Sequence, residues 1–100
     1  MKINQYGSFK KAYKKLYKNQ LAQVNTAIQA IIDNPGLGEQ KKGDLSMLRV
    51  YKFQVQNQLT LIGYNVSPEL TEDVAAGTER VLTFIDIGSH ENFYRNIKKK

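Results

Sequence analysis

Cysteine is absent from this sequence and histidine occurs once in its 100 residues. Disulfides and thiolate metal sites are therefore excluded, and a metal centre built from histidines is disfavoured. No apolar run approaches the roughly 20 residues of a membrane span, and no apolar stretch of signal-peptide length follows Met1. We therefore expect one cytoplasmic domain over residues 1–100, with no membrane contact, no metal and no cofactor, which apolar packing alone stabilises.

Acidic residues are scarce in the first half of the chain. Residues 1–52 hold ten Lys and Arg against three Asp and Glu, a net charge of +7. Residues 53–97 hold two basic against six acidic residues, a net charge of −4, and three final lysines restore +3. A basic half favours a phosphate-rich partner through attraction and counterion release. The alternative is that the charge only serves solubility.

Two apolar periodicities in the basic half predict a pair of antiparallel helices. The first helix begins after Gly7-Ser8 and spans three turns, with apolar residues at helical spacing as far as Tyr17. A corner is predicted at Asn19-Gln20, and a second helix over residues 21–33 ends before Pro35. The face of the first helix opposite its apolar residues is a five-lysine stripe: Lys10, Lys11, Lys14, Lys15 and Lys18. Such a stripe is either a solvated face or a surface for a polyanion.

The remaining elements are predicted to be strands. Residues 49–56 and 59–66 are two strand patterns with a turn-forming pair between them, Asn57-Gln58. Residues 81–87 are apolar on both faces, as in a central strand, and residues 1–6 supply at most an edge strand. The order of elements predicts an α+β fold in which an αα-hairpin packs on one face of a small antiparallel sheet.

Polar side chains collect directly after the last predicted strand. The strand breaks at Gly88, and Ser89 is suited to cap a short helix. That helix carries four polar or charged candidates: His90, Glu91, Tyr94 and Arg95. Lys52 alternates with the aromatic residues of its strand and is therefore expected on the opposite face of the sheet.

These elements together resemble the RelE/ParE superfamily of toxins from bacterial type II toxin–antitoxin systems, and more narrowly its ParE-like branch. The resemblance covers nearly the whole chain and is carried by SFKKAYKKL, KKGDL, VYKF and GSHENFYR at residues 8–16, 41–45, 50–53 and 88–95. It implies a microbial-RNase-like fold and neutralisation by a small cognate antitoxin. For RelE-type members it also implies cleavage of mRNA on the ribosome.

The resemblance also bears on single residues. Members similar to YafQ have a histidine after the Gly-Ser that ends the last strand and an aromatic residue four positions on, as do His90 and Tyr94 here. Lys52 matches a basic residue of RelE, whereas Gln54 and Leu61 stand where RelE has further basic side chains. This difference favours a mechanism centred on histidine rather than on lysine.

Metal-independent RNA cleavage needs a base, an acid and cations near the phosphate. His90 is suited to either proton transfer, while Glu91 and Asp44 are candidate bases for the other. Tyr94 lies one helical turn from His90 and either orients it or stacks on a base. The candidate catalytic residues are His90, Tyr94, Lys52, Glu91 and Arg95, with Lys42 as a further candidate charge stabiliser. The candidate RNA-binding residues are Lys10, Lys11, Lys14, Lys15, Lys18, Lys41 and Lys42.

Three functions compete at this stage. The favoured one is a ribosome-dependent mRNA endoribonuclease that inhibits translation, with ribosome, mRNA and antitoxin as partners. The second is an inhibitor of DNA gyrase without nuclease activity, since the name ParE also belongs to gyrase poisons. The third is a plain RNA-binding or interaction domain, in which His90 is a polar residue at a helix start while Phe93 and Tyr94 anchor the core.

Overall fold

The computed structural model describes the backbone of residues 1–98 and the side chains of residues 1–95. The predicted α+β class is confirmed. The elements in chain order are β1 (Lys2–Gln5), α1 (Gly7–Lys14), α2 (Lys18–Asp33), β2 (Glu39–Gln40), β3 (Arg49–Val55), β4 (Gln58–Ser67), β5 (Val81–Ser89) and α3 (His90–Lys98). Within residues 1–98, no helix is long and apolar enough to cross a membrane.

One mixed sheet carries all these strands in the order β1-β5-β4-β3-β2. The predicted meander of β3, β4 and β5 is confirmed, because each of these strands pairs antiparallel with the next. The prediction of a wholly antiparallel sheet is wrong at one edge, where β1 runs parallel to β5. The whole length of chain between these two strands forms the crossover that a parallel pair requires.

The helices α1 and α2 cover one face of the sheet. Phe9 of α1 stacks on Phe84 of β5 with ring centroids 5.0 Å apart. From α2, Val24, Ala27 and Ile31 are buried against the same face. Each large apolar side chain buried here contributes about 1.5–3 kcal/mol to folding.

The first helix is shorter than predicted. It ends at Lys14 after eight residues, and the corner lies at residues 15–17 instead of Asn19-Gln20. Tyr17 is 75% exposed at the start of α2, where its N–H donates to Oε1 of Gln20 at 2.9 Å. The five lysines therefore do not form a stripe on one helix, because Lys15 follows the end of α1 and Lys18 begins α2.

The turn between β3 and β4 is displaced by one residue from the prediction. Gln56 and Asn57 occupy it with φ angles of 51° and 66°, the left-handed pair that a two-residue hairpin needs. Contacts with α2 hold Gln56 there: its N–H donates to Oε1 of Gln23 at 3.2 Å, and its Nε2 donates to the carbonyl of Asn19 at 2.9 Å.

The helix α3 packs on the other face of the sheet. Val50 and Leu61 alternate with residues of the first face, so their side chains point towards α3. Phe93 of α3 is fully buried on them together with Leu48. The strand β5 extends to Ser89, two residues beyond the predicted end, and α3 follows at His90 without a linker.

Candidate functional site

The ring of Tyr94 lies between two neighbours on α3. The centroids of the His90 and Tyr94 rings are 5.6 Å apart with an edge-to-face angle of 73°. The Phe93 and Tyr94 rings also meet edge to face, with centroids 5.2 Å apart and an angle of 88°. Because Phe93 is fully buried, it fixes the position of Tyr94 beside the exposed His90.

The close approach of Phe93 to the sheet depends on Gly63 of β4. A Cβ atom at this position would lie 2.5 Å from the Cζ atom of Phe93, closer than real side chains allow. Because Gly63 has no side chain, α3 packs directly on the strands. The same packing sets the positions of the Tyr94 and His90 rings next to Phe93.

Lys41 reaches Tyr94 from the segment after β2. Its Nζ atom lies 5.7 Å from the centroid of the Tyr94 ring and 3.3 Å from Oε1 of Glu39. The Lys41 side chain is only 20% exposed, and the backbone N–H of Lys41 donates to the carbonyl of Leu48 at 2.9 Å. Sequence reasoning assigned Lys41 to RNA binding, whereas the structure places it against a catalytic candidate.

The charge of Lys41 is stable at neutral pH. A hydrogen bond with Tyr94 is the largest influence and raises the pKa of Lys41 above its usual 10.5. Burial acts in the opposite direction, and the carboxylate of Glu39 adds a smaller upward effect on the pKa. We call His90, Tyr94 and Lys41 the α3 cluster. It combines an imidazole, a phenol and a fixed cation.

Lys52 lies on the same face as α3 but one strand further away. It pairs with Leu61 of β4, and Leu61 pairs with Gly88 of β5, so the three residues form a row across the sheet. Two strand spacings separate the backbones of Lys52 and Gly88 by about 10 Å. The expected position of Lys52 on the face opposite the aromatic core residues is thus confirmed, at a distance from the α3 cluster.

The other candidate residues remain exposed. Glu91 and Arg95 lie on α3, and neither forms an ion pair within residues 1–95. Lys42 and Asp44 flank Gly43, whose φ of +70° turns the segment after β2. That Glu91 or Asp44 transfers a proton, and that Arg95 and Lys42 stabilise charge, thus stays a prediction.

The lysines of the helical hairpin lie on the far side of the sheet from α3. Lys10 and Lys14 border an open groove of about 520 Å³ between β1, α1 and α2, whose floor includes Phe9 and Phe84. Lys11, Lys15 and Lys18 are also exposed. The residues predicted as one RNA-binding set are therefore divided between the hairpin and the segment that carries Lys41.

A second polar cluster, which the sequence reasoning missed, lies inside the molecule. Nη2 and Nε of Arg49 donate to Oε1 of Glu69 at 2.5 and 2.9 Å, and Nη1 donates to the carbonyl of Gly38 at 2.9 Å. The hydroxyl of Tyr64 donates to the carbonyl of Pro35 at 2.6 Å and accepts from the N–H of Gly38 at 2.7 Å. Burial raises the pKa of Tyr64. We call this the buried ion-pair cluster.

The sequence contains a signal for this cluster. Arg49 stands between Leu48 and Val50, and a charged residue inside an apolar run is either exposed or paired. Its partner Glu69 follows 20 residues later in a connection without periodicity, so no spacing rule identifies it.

The donor groups do not suggest a metal site. Among the described residues, no three His, Cys, Asp or Glu side chains are grouped to hold a metal ion. The cation of the α3 cluster is Lys41, and Lys52 lies further away on the same face of the sheet.

Comparison with known proteins identifies the family. Residues 3–98 match the family model of ParE-like toxins of type II bacterial toxin–antitoxin systems. No curated protein and no solved structure matches the chain. The match agrees with the resemblance noted in the sequence and covers every element of the fold, including α3.

Proposed function

Because this chain belongs to the ParE-like toxins of type II bacterial toxin–antitoxin systems, which implies a cognate antitoxin as its partner, we propose that it inhibits translation by cutting mRNA on the ribosome. The observation that carries the proposal is the contact between His90, Tyr94 and Lys41. Cleavage of a phosphodiester needs a proton carrier and a cation beside the same phosphate, and this cluster supplies both groups.

The residues divide the chemistry between them in this proposal. His90 carries one proton, Tyr94 orients its ring, and Lys41 neutralises the charge that develops on the phosphate. Lys52 lies on the same face of the sheet as α3 and binds a neighbouring phosphate of the mRNA. Glu91 and Arg95 are both exposed on α3. Glu91 is available for the second proton transfer, and Arg95 is available for further charge stabilisation.

The ribosome has a role in the proposal because the cluster is incomplete alone. Lys52 stands about two strand spacings from Gly88, which precedes His90 by two residues, so mRNA must be held across both Lys52 and His90. We propose that the exposed lysines of the hairpin contact ribosomal RNA, because they face away from α3 and leave it free to face mRNA.

Primer extension after a short induction tests the proposal. We expect new 5′ ends inside the reading frame of a translated mRNA, and none in a matched mRNA whose start codon has been removed. Early arrest of DNA synthesis, with trapped gyrase–DNA breaks and intact mRNA, would contradict it.

Inhibition of DNA gyrase is the second candidate function. The ParE-like description of the family favours it, as does the exposure of Glu91 and Arg95, since a binding surface needs no proton carrier. The two candidates differ in one respect that is simple to measure. A gyrase inhibitor stays toxic when His90 is replaced by alanine.

A further inference from the structure

We propose that a small cavity beside the α3 cluster holds one base of the mRNA and selects guanine. Tyr6, Asp44 and Asn65 supply its polar groups, and its volume is about 240 Å³. This is below the range of pockets for drug-sized ligands and suits a single flat ring system. The inference rests on the proposed nuclease function, because it assigns the base specificity of that activity.

The location of the cavity connects it with the α3 cluster. Its wall includes Leu45, Leu48 and Ile85, and these residues belong to the same apolar cluster as Phe93 and Tyr94. The carbonyl of Leu48 also accepts the backbone N–H of Lys41. When Lys41 binds a phosphate of an RNA strand, a neighbouring nucleotide of that strand therefore lies at the cavity.

Two large side chains border the cavity and remain uncovered. Tyr6 is 54% exposed and Met47 is 61% exposed. The backbone of Tyr6 is fixed, because its N–H donates to the carbonyl of Phe84 at 2.9 Å and α1 begins at the next residue. An exposed tyrosine ring on a fixed backbone is a suitable platform on which an unpaired base stacks.

The polar groups favour a base that donates hydrogen bonds. The carboxylate of Asp44 only accepts, and Asn65 uses one N–H of its Nδ2 on the carbonyl of Met47 at 2.6 Å, which leaves its amide oxygen as an acceptor beside the second N–H. Guanine presents two adjacent N–H donors on its Watson–Crick edge, where uracil presents one and adenine and cytosine present a single amino group. A carboxylate accepts such a pair with both oxygens.

The charge of Asp44 supports the same assignment. It stands directly after Lys41, Lys42 and Gly43, and it forms no ion pair with another described residue. A carboxylate repels RNA phosphates and therefore weakens a segment that only holds the backbone. Its presence beside two lysines is consistent with reading a base edge.

The test maps cleavage sites on translated mRNAs for the wild type and for Asp44→Asn. We expect guanine at a fixed position relative to the cut for the wild type, and a preference lowered about tenfold for Asp44→Asn. Asp73→Asn is the matched control, because it makes the same charge change at an exposed acid outside the cavity and keeps the preference. Replacement of the guanine by inosine, which lacks the 2-amino group, slows the wild type about tenfold and leaves Asp44→Asn unaffected.

A second pair of variants tests stacking. Tyr6→Ala lowers cleavage about tenfold, while Tyr6→Phe retains most of the activity because the ring remains. Tyr6 is exposed, so neither variant disturbs the core. If the wild type leaves translated mRNA uncut, the proposed function fails and this inference fails with it. If the wild type cuts without base preference, or Asp44→Asn keeps the preference, the cavity assignment alone is overturned.

Discussion

The two polar clusters of this protein differ in what surrounds them. In the buried ion-pair cluster, Arg49 and Glu69 are both more than 90% buried and satisfy each other. Within the described side chains, no buried polar atom lacks a hydrogen-bond partner. In the α3 cluster, by contrast, His90 is exposed and keeps donors and acceptors for a ligand. A polar group with all its bonds made stabilises the fold, whereas one with unused bonds is available for chemistry.

The clusters also occupy opposite faces of the same sheet. Arg49 and Tyr64 are paired across β3 and β4 and point towards the helical hairpin, while Lys52 of β3 points to the other face. Substitutions in one cluster are therefore expected to change stability, and substitutions in the other to change activity. Single substitutions test whether the effects on stability come from one cluster and the effects on activity from the other.

The largest expected effect is on activity. His90→Ala removes the only histidine of the chain and is expected to lower mRNA cleavage about 10²–10⁴-fold. The melting temperature stays unchanged because His90 is exposed. Asn92→Ala, an exposed neighbour on α3, is the control and keeps wild-type cleavage. Cleavage by His90→Ala at the wild-type rate would remove His90 from the mechanism.

The next effect is on stability. Glu69→Gln leaves the buried guanidinium of Arg49 without its counter-charge, which costs about 3–5 kcal/mol in the free energy of unfolding. Urea denaturation measures this loss. Glu72→Gln alters an exposed acid of the same connection and is expected to stay within about 0.5 kcal/mol. Equal unfolding midpoints for Glu69→Gln and the wild type would show that the ion pair is not required.

The smallest effect concerns Lys41 and depends on pH. Because the folded-state pKa of Lys41 is raised above 10.5, its charge adds stability that is complete below this value and is lost as the pH rises through the raised pKa. We expect Lys41→Met to be less stable than the wild type by about 1 kcal/mol at neutral pH, with the difference shrinking in strong alkali. Lys42→Met, at an exposed neighbour, is the control and is expected to stay within about 0.5 kcal/mol of the wild type. A difference that grows with pH would contradict the contact with Tyr94.

The fold followed from the sequence where a pattern repeats over many residues. The second helix and the central strands have such patterns, and their positions are confirmed to within three residues at each end. The corners were wrong because tertiary contacts decide them. The turn at Gln56-Asn57 depends on bonds to Gln23 and Asn19, which are distant in sequence. The direction of β1 depends on a strand almost 80 residues away.

The candidate site was predictable in part for the same reason. The contact between His90 and Tyr94 follows from their spacing of four on one helix. The position of Lys41 does not follow from the sequence, because β2 has only two residues and gives no periodic signal. The buried pair of Arg49 and Glu69 is likewise set by packing that no local pattern records.

The lack of a side chain at Gly63 has an evolutionary consequence. Replacement by alanine adds one methyl group at 2.5 Å from the ring of Phe93 and so lifts α3 from the sheet. Glycine and alanine codons differ by a single nucleotide, so this change is within reach of one mutation. A bacterium that loses the antitoxin gene is under selection to silence the toxin. Survivors are therefore expected to carry lesions at this position in β4 as well as at His90 itself.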